Sequence, residues 1–204
     1  MQRGRAKGGL NSQNLNGFSL IEVLISIIVL SFGLLGMVGM QSAALQANRE
    51  ARLQSSAAVL ARELAETIRG NKDIGILATG NPYVGSFDTS PLEAATPSYC
   101  LNVATSTTPC ADRAAIANAQ MTEWLDRVNV QLPGARVSVC FDSAPYDGSG
   151  LPQWACNSTD ASGVIVVKIG WTRGSTNRSA SGDSALERAT APSIVFPITP
   201  GSST

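Results

Sequence analysis

The feature that most constrains this chain is an apolar run near its start. Phe18 to Met40 is a 23-residue stretch in which Glu22 is the only charged residue. About 20 mostly apolar residues suffice for a helix to cross a bilayer. Arg3, Arg5 and Lys7 precede the run and no acid does. A basic head before an apolar span keeps the N-terminus in the cytoplasm and exports the residues beyond the span. An ordinary signal peptide carries its cleavage site after the apolar run. Here a polar leader, residues 1–17, ends in Gly17 before it. Cutting there would leave the apolar segment as the new N-terminus.

From Phe18 a helix is expected to run without proline to about Arg69. Its first part is apolar all round, as a lipid-embedded or subunit-buried helix must be. Farther on, Leu53, Ala57, Leu60, Leu64 and Ile68 follow helical spacing and mark one buried face. Arg69 followed by Gly70-Asn71 is a stop signal. A helix of 52 residues would be roughly 78 Å long, more than a small core can bury. Gly33, Gly36 and Gly39 interrupt its first half. They fit either ordinary glycine tolerance in membrane helices or a segment able to stretch.

The remainder predicts a small exported domain. Residues 71–111 read as loop, with four prolines. Ala111 to about Val130 reads as a second helix, capped by Asp112 and with Ile116, Ala119, Trp124 and Val128 on its apolar side. Pro133-Gly134 is a turn. Three strands are expected, at 136–142, 164–172 and 193–198. Val137, Val139 and Phe141 alternate with Arg136, Ser138 and Cys140, as in a half-buried strand. Pro197 places the last strand at an edge, or marks that strand's own end. Residues 173–188 read as a polar, flexible connection. The fold class is therefore α+β, a long N-terminal helix packed on a small antiparallel sheet. Its segments are 1–17 (leader), 18–40 (membrane and assembly helix), 41–70 (amphipathic continuation) and 71–204 (exported domain).

The chemistry available is narrow. With no histidine in the chain, Ser-His and Cys-His nucleophile pairs and histidine metal sites are excluded. Cys100, Cys110, Cys140 and Cys156 all lie beyond the span and allow three pairings. An oxidising compartment favours disulfides. The nearest-neighbour pairing, Cys100–Cys110 and Cys140–Cys156, closes two short loops. The spacings are too wide for an ordinary zinc site. Asp126, Asp142, Asp147 and Asp160 could pair as catalytic carboxylates, but no spacing brings them together. No phosphate loop or nucleophile elbow is present. The reading is non-enzymatic, with no cofactor and no metal. The exported part has no strong basic patch, so nucleic-acid binding is not expected. The 173–188 loop could serve as an adhesive or DNA-binding tip, yet its three arginines face Asp183 and Glu187, and a solvated loop is the plainer reading.

The residues Gly17-Phe18-Ser19-Leu20-Ile21-Glu22-Val23-Leu24 resemble the processing site of type IV prepilins and pseudopilins. The resemblance implies cleavage after Gly17 by a prepilin peptidase and N-methylation of Phe18. It also implies an assembly role for Glu22. A carboxylate within an apolar span is costly and is usually paired or functional. The resemblance supplies the Phe18 amine of an adjacent subunit as its partner. Beyond the motif, residues 60–71, the helix around Trp124 and the strand ending in Trp171-Thr172 look like the PilV family of minor pilins. The proline that major pilins commonly carry after position 39 is missing, which favours a minor pilin. The implied function is a structural subunit that initiates, assembles or modifies type IV pili, serving twitching motility and adhesion. The alternative is a minor pseudopilin of a type II secretion system. Implied partners are other minor pilins, the major pilin, the prepilin peptidase, the inner-membrane assembly platform and the lipid bilayer. The implied location is the inner membrane, with a periplasmic domain, and then the pilus.

Overall fold

A computed structural model describes residues 17–102, 108–158, 163–175, 179 and 181–201. The leader's first 16 residues, Asp160 and Arg178 lie outside the described residues, as do the side chain of Asp183 and part of the 173–188 connection. The chain divides into two compact units, Met1–Asn48 and Arg49–Thr204.

Helix α1, Leu20–Gly70, is unbroken through Gly33, Gly36 and Gly39. It starts two residues later than the apolar run, because Ser19 supplies the first carbonyl acceptor, bonding Glu22 N at 3.0 Å and Val23 N at 3.3 Å. In the first unit every described side chain is exposed. Two hydroxyls within the span are satisfied by the helix itself: Ser26 donates to Glu22 O and Ser31 to Ile27 O, each at 2.7 Å. This hides their donors where water is scarce.

In the second unit α1 buries Ala57, Leu60, Ala61, Leu64, Ala65 and Ile68. Leu53 is packed against this core and half-buried. Helix α3, Arg113–Gln131, crosses the same face. The Asp112 side chain accepts from Ala115 N at 2.7 Å and caps it. Its buried stripe is Ala117, Met121, Trp124, Leu125 and Val128, with Ala119 and Thr122. Ile116, expected in that stripe, is only half-buried. Trp124 Nε1 donates to Leu60 O at 2.9 Å. This bond fixes the height of one helix on the other.

Strands β1 Gly85–Phe87, β2 Arg136–Asp142, β3 Val164–Gly170 and β6 Ile194–Ile198 form an antiparallel sheet. Their order across it is β1-β2-β3-β6. Val137, Val139, Phe141, Ile165, Val167, Ile169 and Ile198 point into the core shared with α1 and α3. Pro197 sits on edge strand β6, where its missing N–H costs no ladder bond on the free side. Gly134 has φ +54, and a Cβ there would collide with the Thr172 hydroxyl. The turn after α3 therefore requires glycine.

Three expectations need correction. Residues 71–111 are not all loop: they contain the short helix α2, Lys72–Gly75, and strand β1. The 173–188 segment holds a two-stranded ladder, β4 Arg173–Gly174 with β5 Leu186–Glu187, and a 3₁₀ turn at Gly182–Ala185. Strand β3 stops at Gly170, before Trp171-Thr172. Each of the added elements is two to four residues long, too short for periodicity to reveal.

Sheet β2–β3 is also not half-exposed. Ser138, Val166 and Lys168, on the face opposite the core, are buried. Residues 143–157 fold back over that face, bonding to Lys168 and Asp142 from both ends.

Candidate functional site: the N-terminal segment and the second unit

Gly17, Phe18 and Ser19 precede the helix outside regular secondary structure and are exposed. A Cβ built on Gly17 meets nothing within 4 Å. Phe18 is 84% exposed. Phe18, Glu22, Ser26 and Leu30 are spaced by four and lie along one side of the helix start. Val23 and Ile27 lie beside them, around a shallow depression. Glu22 is the acid of the first turn, where the helix dipole favours negative charge. Its carboxylate meets no basic side chain among the described residues. The helix is long and apolar enough to cross a membrane, with no residue of its most apolar stretch buried by the chain itself. A carboxylate on such a surface has its charge available to something other than its own fold.

The cysteines lie in the second unit. Cys100 joins Cys110 and Cys140 joins Cys156, with Cα separations of 5.0 and 6.3 Å. The first bridge ties the approach to α3. The second ties the end of β2 to the far end of the 143–157 loop.

Beneath that loop sits a feature the sequence did not disclose. Lys168 and Asp142 are both fully buried at the side chain, with Nζ and Oδ2 2.5 Å apart. Lys168 Nζ also donates to Ala155 O at 2.5 Å. Asp142 Oδ1 accepts from Ala144 N at 2.9 Å and Asn157 N at 3.3 Å. Burial alone would raise the Asp142 pKa. The Lys168 hydrogen bond, the two amides and the Lys168 charge outweigh it and hold the carboxyl below its ordinary 3.8. The pair thus grips both ends of the loop that the disulfide closes. The only sequence signal was a lysine interrupting the apolar run of β3.

The other aspartates considered as catalytic pairs are separated in role. Asp147 Oδ1 accepts from Ser149 N and Leu151 N at 2.8 and 2.9 Å and closes the loop tip. Asp126 is exposed on α3. Asp142 lies within 4.8 Å of the sulfurs of Cys140 and Cys156, a metal-like grouping. The disulfide consumes both thiols and Lys168 engages the carboxylate, so those atoms are already committed.

Comparison with known proteins bears on the first unit. No curated protein and no solved structure matched the chain. Among protein-family models, the prokaryotic N-terminal methylation motif matches residues 13–38. That stretch takes in Gly17, Phe18, Glu22 and most of the exposed apolar helix, and it is there that the chain is similar to the methylated N-termini of prokaryotic prepilin-like proteins.

Proposed function

We propose that the chain is a minor type IV pilin, a structural subunit of the PilV kind that takes part in initiating, assembling or modifying pili. The observation that carries this reading is the methylation-motif match over residues 13–38, which ends inside an apolar helix its own chain leaves uncovered. In this proposal a prepilin peptidase cuts after Gly17 and methylates Phe18. Residues 18–40 hold the precursor in the inner membrane with the later residues in the periplasm. The same helix then packs among other minor pilins and the major pilin.

Glu22 has a specific task here. In lipid its position near the helix start lets it reach the headgroups. Among apolar helices of neighbouring subunits that escape is closed, and the carboxylate needs a cation. The Phe18 amine of an adjoining subunit provides one. Removing one partner of a buried pair costs about 3–5 kcal/mol.

Intact-mass measurement of protein extracted from membranes tests the processing step. The expected species begins at methylated Phe18, and Gly17→Ala accumulates as uncut, membrane-held precursor. A mature start near residue 40 would sink the reading. Glu22→Ala tests assembly: a correctly cut, membrane-resident protein is expected to be missing from sheared filaments. Equal incorporation of mutant and parent would remove the role given to Glu22. Recovery in sheared pili, rather than an effect confined to protein secretion, separates the pilin from the pseudopilin alternative.

A further inference from the structure

We propose that Arg136, seated on Trp154, is a docking point for a carboxylate side chain of a neighbouring protein subunit. The assignment of the partner as a subunit rests on the function proposed above; the binding chemistry does not.

Arg136 opposes Gly170 in the β2–β3 register. Glycine is favoured there, because a Cβ would come within 2.8 Å of Ala189 Cβ and 3.0 Å of Trp154 Cζ2. The indole lies in the space thus left, and the Arg136 guanidinium carbon stacks 4.4 Å from its ring centroid. Arg136 Nε and Trp154 Nε1 are sealed from solvent with no acceptor among the described residues. The side chain is therefore held by stacking and not by hydrogen bonds. The two terminal nitrogens of Arg136 are not among the sealed atoms. They meet no carboxylate among the described residues.

Other arginines of this unit differ. Arg69, Arg113, Arg127 and Arg173 are paired with Glu66, Asp73, Glu63 and Glu50. Arg188 donates to the Asp88 carbonyl at 2.5 Å. Arg49, Arg52 and Arg62 are exposed on α1 and stack on no ring among the described residues. Arg136 alone in this set combines a fixed plane with an open, unpaired end. A guanidinium presents its terminal N–H groups as a fork that matches a carboxylate. Prior ordering by the indole lowers the entropy lost on binding. Arginine and tryptophan side by side are the residues that dominate protein interfaces.

Charge indicates the partner chemistry. Beyond Gly17 the chain itself carries more acidic than basic residues. Glu93, Glu123 and Asp126 meet no basic side chain among the described residues. Subunits of this composition offer each other carboxylates.

Tryptophan fluorescence of the full-length protein in neutral detergent reads the site. Trp124 and Trp171 are 1% and 0% exposed, so Trp154 is the one open to a ligand. A glutamate-rich peptide, added at constant ionic strength, is expected to give a saturable change. Arg136→Gln is expected to weaken it about tenfold, with an unchanged thermal melt. An equal response in Arg136→Gln and parent, or a change that never saturates, would overturn the proposal. Saturation by inorganic phosphate without any response to the peptide would overturn it as well. A chain that starts elsewhere than Phe18 yet binds the peptide through Arg136 loses its pilin reading and keeps its docking site. A correctly processed chain that ignores the peptide does the reverse.

Discussion

One helix contains two regions that obey different rules. Before Arg49, α1 exposes every described side chain, large aliphatics included. From Ala57 to Ile68 it seals six residues against its own chain. The backbone hydrogen bonding is the same in both. The difference teaches that helix formation is a local matter, whereas stability depends on where the apolar surface finds a partner. The later half finds it in α3 and the sheet. The earlier half finds none in its own chain among the described residues, and it is long and apolar enough to cross a membrane.

The largest expected effect breaks the self-sufficient half. Trp124→Ala removes a fully buried indole and leaves the Leu60 carbonyl without its donor. It should cost about 3–5 kcal/mol in denaturant unfolding of the second unit. Leu30→Ala, an apolar loss from the exposed half, should leave that unfolding curve unchanged. A matching loss from Leu30→Ala would erase the contrast between the regions.

Next in size is the pair under the 143–157 loop. Lys168→Met strands Asp142 in a closed site and should cost about 3 kcal/mol, whereas adding Asp142→Leu should restore most of it. A double variant as unstable as the single one would show that the ion pair is not the relevant contact. Cutting the Cys140–Cys156 bridge by Cys140→Ser with Cys156→Ser releases a loop of about 15 residues, worth roughly 3 kcal/mol in the loop-entropy model. Because Lys168 and Asp142 still hold both loop ends in the folded chain, the freedom is gained by the unfolded chain alone and the measured loss is expected to approach that figure. Chemical denaturation of parent and variant decides.

The smallest effect is the pH response. The Asp142 carboxyl is held below its ordinary 3.8 in the folded chain. Its contribution is complete above that value and fades as pH falls through the lowered folded one. Acid titration of stability should therefore be shallower below pH 3.8 in Asp142→Asn than in the parent. Parallel acid limbs would show that Asp142 is not the group responsible.

These contrasts also explain what was legible in advance. The two halves of α1 were visible because a change from all-round apolarity to a stripe at Leu53, Ala57, Leu60, Leu64 and Ile68 persists over many residues. The strands around Val137 and Val167 showed for the same reason. Strand β1 did not, since three residues gain their status only from pairing with β2. The Lys168–Asp142 pair was hidden because its partners lie 26 residues apart and meet only through the β2–β3 register. The stack of Arg136 on Trp154 depended on the absence of a side chain at Gly170, a fact about space that spacing in sequence does not carry. Gly17, Phe18 and Glu22 stood out because they follow one another in linear order, within the stretch that the methylation motif matches.

The loop between Cys140 and Cys156 is held at its base, where Gln153 N donates to Pro145 O and Trp154 lies against Arg136, while its tip closes on itself through Asp147. Gly148 and Gly150 have open space around them. Lengthening such a tip costs little, about 0.6 kcal/mol per doubling of loop length. The segment behaves as a cassette: a short epitope tag placed between Gly148 and Ser149 should leave the sheet and both disulfides intact. It would give a handle for antibody labelling on the second unit without touching the N-terminal helix.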